Sequence, residues 1–315
     1  MTSLKKPDRK RSEKVTVNSE TQPWDDLAIG EKLGPVEYRI KPSTHQKHCD
    51  LLNIHLPWFE VDWNLFPWEL AGWARAASRH YGQLKKSVQT GFRYEFFQPA
   101  KVGQPLFNTW TLLDRYVKKG HSYFISCTET KDKDGNLLIR VTTEAINLSN
   151  NKDKLKPGGA SLRKGWSELG EYVKASPDLP EGLVLLTRTK GPLPMRVSGF
   201  TRSGWSKTRW QGSIHEETYA HQMGFRSAIV EGPIAWEFGI LEILLDFFGS
   251  RSFFASGMVN VNVCSPGYVG DVLVGKARIR EKIAEDTGTR LVLETRIEKP
   301  DGSLINVGSV SALVK

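Results

Sequence analysis

The stretch Cys264–Ile305, CSPGYVGDVLVGKARIREKIAEDTGTRLVLETRIEKPDGSLI, decides the fold because an earlier stretch of the chain repeats it. The earlier copy is Phe97–Leu138, FQPAKVGQPLFNTWTLLDRYVKKGHSYFISCTETKDKDGNLL. The copies align without a gap at a constant offset of 167 residues. An internal repeat of this kind indicates two copies of one structural unit. The identical pairs are Pro99/Pro266, Val102/Val269, Gly103/Gly270, Leu106/Leu273, Thr128/Thr295, Asp134/Asp301, Gly135/Gly302, Leu137/Leu304 and Ala145/Ala312.

Each copy predicts a three-stranded antiparallel meander. The pair Asp301-Gly302 predicts a hairpin turn, because glycine accepts the positive φ that such turns require. One strand, Arg290–Ile297, precedes this turn, and another, Leu304–Val314, follows it. The Pro-x-x-x-Gly element begins an earlier strand that runs from Val272 to Glu281. The first copy predicts the same three strands, with its turn at Asp134-Gly135.

Each meander follows a stretch with the composition of an apolar helix. These stretches are Pro67–Ser78 and Pro233–Phe248, and proline fits the first turn of a helix. The second is apolar nearly all round, which predicts a buried helix. We therefore predict an α+β protein in which two curved antiparallel sheets each wrap a central helix.

The length of 315 residues fits two such units. We expect a disordered basic tail over 1–22, a first unit over 23–148 and a second unit over 182–315. The tail has no apolar core, so it does not read as a signal peptide. Between the units, 149–181 has the Asn-, Lys-, Pro- and Gly-containing composition of a linker.

The net charge of +9 favours an acidic partner, which could be nucleic acid, an anionic membrane surface or a phosphorylated small molecule. No apolar stretch approaches the roughly 18 residues of a membrane helix, so we expect no membrane span. The three cysteines, Cys49, Cys127 and Cys264, are far apart in sequence. This spacing favours a reducing, cytoplasmic setting with no disulfide and no metal site.

A segment before the second helix, Gly212–Pro233 (GSIHEETYAHQMGFRSAIVEGP), resembles the signature of the MaoC-like dehydratases, or R-specific enoyl-CoA hydratases. That signature reads Asp-x-Asn-Pro-Ile-His, an acidic residue, Tyr-Ala, Gly-Phe or Gly-Tyr, then Ile/Val-Val-His-Gly. The resemblance implies a tandem double hotdog fold over roughly 25–148 and 185–315. The matching residues are Ile214-His215, Tyr219-Ala220, Gly224-Phe225 and Ile229-Val230-x-Gly232.

The resemblance also implies an activity: a hydro-lyase that hydrates or dehydrates the α,β bond of an acyl thioester. His215 is then the acid/base group, and the Gly232 amide receives the thioester oxygen. The substrate is an acyl-CoA or acyl-carrier thioester, so CoA or phosphopantetheine is part of the substrate and no separate cofactor is expected. Lys207, Arg209 and Arg226 are the candidates for contact with the CoA phosphates.

The segment departs from the family signature at the catalytic carboxylate. The position five residues before His215, which is Asp in the family, is Trp210 here. Three interpretations stay open. The carboxylate of Glu216, Glu217 or Glu231 takes over the role, or the enzyme runs a related reaction with one proton-transfer group, or the site binds acyl thioesters without chemistry.

The sequence indicates that the first unit has a degenerate site. We expect its sheet to pair with the sheet of the second unit. It has no glycine before Pro67, and His45, His48 and His55 lie outside any matching signature, so we expect them to be structural or exposed. The chain would then be a monomeric pseudo-dimer or a homodimer. Nucleic-acid binding through the basic and aromatic run Gly204–Trp210 is the least favoured function.

Overall fold

The computed structural model describes residues 27–72, 75–77, 87–148, 169–193 and 214–315. Strands of the first half are β1 (Lys32–Tyr38), β2 (Ser87–Phe96), β3 (Leu106–Lys118), β4 (His121–Lys131) and β5 (Leu137–Asn147). Those of the second half are β6 (Arg188–Lys190), β7 (Ile229–Val230), β8 (Met258–Val263), β9 (Gly267–Tyr268), β10 (Leu273–Glu285), β11 (Gly288–Glu298) and β12 (Leu304–Val314).

Ten of these strands form one antiparallel sheet in the order β1-β3-β4-β5-β2-β8-β12-β11-β10-β6, and β7 pairs with β9 separately. Each half therefore contains the predicted meander. Gly135 and Gly302 adopt φ of 85° and 83°, as the predicted turns require. The two expected sheets are continuous with each other, because β2 pairs with β8 at positions such as Phe92 and Val261.

The two predicted helices are present with different bounds, and the structure contains further helices that were not predicted. The first half has α1 (Pro42–Leu52), α2 (Pro57–Glu60) and α3 (Pro67–Ala71). In the second half α4 (Glu217–Gln222) is followed by α5 (Gly232–Trp236), a π-helical turn (Glu237–Leu241), α6 (Glu242–Phe248) and α7 (Ser250–Ser256). We call the continuous run Gly232–Phe248 the central helix. Within the described ranges, no helix has the length and apolarity needed to cross a bilayer.

The central helix is buried as its composition predicts. The side chains of Ile234, Trp236, Leu241 and Leu244 each retain at most 1% exposure. They pack into one core together with strand residues such as Val261. Part of the predicted linker also covers this half, where the Ala175 amide donates to the Phe247 carbonyl at 2.9 Å.

The predicted helix Pro67–Ser78 was too long, because α3 ends at Ala71. Gly72 adopts a left-handed conformation, with φ of 56°. A Cβ at Gly72 would lie 2.7 Å from the Tyr38 ring, and the Tyr38 hydroxyl donates to the Leu70 carbonyl at 2.7 Å. A contact from β1 therefore fixes a glycine at the helix end, where left-handed glycines are common.

Close packing between the sheet and the central helix supports a stability prediction at Gly275 in β10. A Cβ there would lie 2.0 Å from the Gly239 carbonyl oxygen in the π-helical turn. We expect Gly275→Ala to lower the free energy of unfolding by about 1–3 kcal/mol through overpacking. Urea denaturation checks this. The control Gly267→Ala, whose new Cβ would lie 3.5 Å from the Ala235 Cβ, should change stability little. Equal stability of the two variants would contradict the prediction.

Candidate functional site

The ring of His215 is held by the strand that leads into the central helix. Its Nδ1 lies 2.7 Å from the Ile229 carbonyl oxygen, and the Ile229 amide donates to the Ile214 carbonyl at 3.0 Å. A carbonyl oxygen only accepts hydrogen bonds, so Nδ1 carries the hydrogen. In the neutral ring Nε2 then has the lone pair that a general base needs. The fold thus selects the tautomer of a half-buried histidine.

The central helix begins three residues after Ile229, at Gly232. The first amides of a helix have no partner within the helix and carry partial positive charge. A Cβ at Gly232 would lie 3.3 Å from Val263 Cγ2 and 3.4 Å from Gln89 Oε1. The surroundings of the helix start therefore come from both halves, because Gln89 belongs to β2 and Val263 to β8.

The three candidate carboxylates differ in their environment. Glu231 directly precedes the helix and is only 6% exposed. The exposed Glu217 accepts hydrogen bonds from the Ala228 amide at 2.8 Å and the Ser227 hydroxyl at 3.1 Å. The bond from the Ala228 amide is the main cause that lowers the pKa of Glu217. Glu216 is half-buried and directly precedes the first residue of α4. Glu231 is thus the one buried at the start of the central helix.

The His215 segment packs against the first half of the chain. Ile214, Phe225 and Ile229 form a buried cluster with Ile146 and Leu148, which lie at the end of β5. His215 and Gly232 therefore belong to the second half, while part of the surface that supports them belongs to the first. The candidate site lies at the junction of the two halves.

A cationic group lies beside this segment. Arg226 pairs with Asp271, and its guanidinium carbon lies 4.4 Å from the centre of the Tyr268 ring. Lys299 also contacts Asp271, at 3.1 Å, and lies over the same ring. Two cations thus share one carboxylate, which leaves local positive charge. Arg226 is more than half exposed. The other predicted positions, Lys207, Arg209 and Trp210, lie outside the described residues.

A buried cluster of two histidines and two glutamates was not predicted from the sequence. Glu69 Oε2 lies 2.7 Å from His45 Nδ1, and Glu237 Oε2 lies 3.2 Å from His48 Nε2. None of the four residues is more than 3% exposed. The expectation that His45 and His48 are structural thus fits their burial. His55 is largely exposed and pairs with Glu60. Among the described residues, no group of three or more such side chains is arranged to hold a metal ion.

One sequence signal could have indicated this cluster. Glu237 interrupts an almost wholly apolar helix, and a buried carboxyl group requires a hydrogen-bonding partner. Its partner His48, however, is 189 positions away along the chain. The residue type thus indicated that a polar contact exists, while the identity of the partner depends on the fold.

The same architecture occurs in solved structures of other proteins. No family model and no curated protein matches the chain. Among solved structures, a MaoC-like dehydratase superposes with a TM-score of 0.66 at 13% identity, covering 91% of this chain and 98% of its own. RV0216 of Mycobacterium tuberculosis, described as having a double hotdog fold, gives 0.60 at 14% identity, covering 92% and 97%. A putative MaoC domain protein dehydratase from Chloroflexus aurantiacus gives 0.62 at 11% identity, covering 94% and 98%.

These similarities extend over both halves of the chain and over nearly the whole of each solved structure. At identities between 11% and 14%, these similarities establish the fold alone. The chemistry has to be argued from the residues of the site. The chain therefore has a double hotdog fold, like the MaoC-like dehydratases that it resembles.

Proposed function

We propose that this chain is a hydro-lyase that hydrates an α,β-unsaturated acyl thioester or dehydrates the 3-hydroxyacyl thioester. The observation that carries the proposal is the contact of His215 Nδ1 with the Ile229 carbonyl oxygen at 2.7 Å, three residues before Gly232. This contact leaves Nε2 as the basic atom of the neutral ring. One short segment thus holds a general base and leads into the helix-start amides.

In the hydration direction, His215 Nε2 takes a proton from a water molecule as its oxygen attacks C3 of the enoyl group. The electrons of the double bond move onto the thioester oxygen, and the Gly232 amide stabilises the resulting enolate. The proton taken up by His215 is then delivered to C2, directly or by exchange through Glu231, which completes the addition of one water and restores the neutral imidazole. General acid–base catalysis contributes about 10²–10⁴ in rate. An oxyanion donor contributes about 10²–10³.

Glu231 is our candidate for the carboxylate that the family signature places at position 210. It is buried next to the helix start, whereas Glu217 is exposed and accepts hydrogen bonds from Ser227 and the Ala228 amide. In this proposal Glu231 positions the water or exchanges the second proton. Both halves supply the surroundings of the site, so we propose that one chain suffices as a pseudo-dimer, with a homodimer as the alternative.

The positive charge beside the site supports a phosphate-bearing carrier, either CoA or the phosphopantetheine of an acyl carrier, as part of the substrate. We expect Arg226→Ala to raise KM for an enoyl-CoA about tenfold with little change in kcat, since a charge-assisted hydrogen bond is worth about 1.5 kcal/mol. Steady-state kinetics measure this. An enoyl N-acetylcysteamine thioester, which lacks phosphates, should show no such rise, and neither should the exposed control Arg251→Ala. A similar rise with the truncated thioester would contradict phosphate contact.

A panel of enoyl-CoA thioesters, followed by loss of the conjugated absorbance, tests the activity. Turnover above the uncatalysed rate supports the hydro-lyase. The second candidate, a non-catalytic acyl-thioester-binding protein, is favoured by Trp210 at the family's Asp position. It predicts saturable binding of a saturated acyl-CoA without turnover. Absence of both enoyl-CoA turnover and acyl-CoA binding, together with salt-sensitive binding of RNA or DNA, would instead support nucleic-acid binding.

A further inference from the structure

A polar contact connects the central helix to the first half. Glu237, the first residue of the π-helical turn, is fully buried. Its Oε1 accepts a hydrogen bond from the Trp68 amide at 2.6 Å, and its Oε2 lies 3.2 Å from His48 Nε2. Trp68 lies in α3 and His48 in α1, so both partners belong to the other half. π-helical turns of this kind occur often at functional sites.

Hydrogen-bond geometry assigns the charges in this cluster. Both ring nitrogens of His45 face acceptors, the Glu69 carboxylate at 2.7 Å and the Phe59 carbonyl at 3.1 Å. His45 is therefore an imidazolium. Glu69 also accepts a hydrogen bond from the Phe66 amide at 3.2 Å, which fits an ionised carboxylate. These two charges balance each other within the buried cluster.

His48 and Glu237 then share one proton in their contact. Burial is the main cause that raises the pKa of Glu237, and burial also lowers the pKa of His48. Both shifts favour a neutral imidazole beside a protonated carboxyl group. The contact is thus a directional hydrogen bond between the halves that adds no net charge to the core.

This hydrogen bond lies close to the proposed site. Glu237 follows Gly232 by five residues, which corresponds to about 7.5 Å along a helix. Near the helix start, the side chains of Ile234 and Trp236 are buried in the apolar core. Apolar contacts are non-directional, whereas a hydrogen bond restricts both distance and angle. His215, in turn, lies in the segment that packs against β5 of the first half.

We propose that Glu237 is a positioning residue, which through His48 and Trp68 sets the place of the Gly232 amide relative to His215. This inference rests on the proposed function. The Gly232 amide and His215 are then both positioned by contacts with the first half of the chain. A displacement near 1 Å at a reacting group lowers rates about 10²-fold, so loss of the contact should reduce kcat.

Three variants test this role. Glu237→Leu removes the contact, Glu237→Gln keeps a donor and an acceptor, and Glu242→Leu is the control on the same helix. Glu242 pairs with Arg188 and Lys190 of the second half. We expect Glu237→Leu to lower kcat about 10- to 100-fold with KM within about twofold. Glu237→Gln should restore kcat to within about threefold of the wild type, and Glu242→Leu should leave it unchanged.

If Glu237→Leu does not fold, His48→Leu, which can neither donate to nor accept from Glu237, serves in its place and should lower kcat in the same way. A folded Glu237→Leu with wild-type kcat, or an equal loss in Glu242→Leu, would overturn the proposal. The amide resonance of Gly232 in a glycine-labelled NMR sample provides a readout that needs no turnover. The chemical shift of this resonance should change in Glu237→Leu and stay unchanged in Glu237→Gln and Glu242→Leu. Without turnover in the wild type the proposed function fails, while this resonance still decides the positioning role.

Discussion

Replacement of His215 by alanine is expected to lower kcat/KM for an enoyl thioester by about 10²–10⁴-fold without unfolding the protein. The substitution removes the only side chain in the proposed mechanism that takes a proton from water. His215 is half-buried, and its contact with the Ile229 carbonyl is local to the segment, so the core is left intact. The loss is measured as the initial rate of disappearance of the conjugated absorbance. Circular dichroism and thermal unfolding report on the fold.

Two further variants separate proton transfer from local structure. His215→Asn can still donate to the Ile229 carbonyl but has no basic nitrogen, so its activity should be as low as that of His215→Ala. The control is His221→Ala in the same segment. His221 is exposed and contacts the Arg226 carbonyl and Glu217, so its loss should leave the rate near that of the wild type. Wild-type activity in folded His215→Ala would remove His215 from the mechanism.

The sheet was predictable from sequence because its determinants are local. A glycine with positive φ lies in the turn of each hairpin, at Gly135 and Gly302, and the predicted strand Leu304–Val314 has the same bounds as β12. The central helix was also predictable, since a stretch that is apolar on all sides has to be buried. The repeat offset then transferred these predictions from one half to the other.

The remaining features depend on contacts between distant parts of the chain. The end of α3 depends on the Tyr38 ring, which lies 34 positions before Gly72. Pairing of β2 with β8, which joins the two sheets, has no local sequence signal. The different burial of Glu216, Glu217 and Glu231 has no local sequence signal either, because burial follows from packing rather than from spacing.

The buried ion pair between His45 and Glu69 should make a large contribution to stability. We expect His45→Gln or Glu69→Gln to lower the free energy of unfolding by about 3–5 kcal/mol, because each variant leaves one buried charge without its partner. The double variant should lose much less than the sum of the single losses, since neutral groups then replace both charges. Urea denaturation of all four proteins gives the coupling free energy. Additive losses would contradict the pairing.

The pH dependence of this contribution follows from His45. Burial works to lower its pKa, but hydrogen bonds to Cys49 and Glu69 outweigh burial and raise the pKa to about 10. The raised value means that the folded state keeps a proton which the unfolded chain releases near pH 6.5. The stabilisation is therefore complete below about pH 6.5 and is lost as the pH rises toward 10.

The double variant His45→Gln/Glu69→Gln lacks this proton and provides the reference for the measurement. Above pH 6.5 the carboxylate of Glu69 is ionised in the unfolded chain, and in the fold it is paired with His45. The difference in unfolding free energy between wild type and double variant should thus shrink with rising pH, by at most about 1.4 kcal/mol per pH unit. Urea denaturation at pH 6, 8 and 10 measures this difference. A difference that stays constant over this range would mean that His45 is neutral in the folded protein.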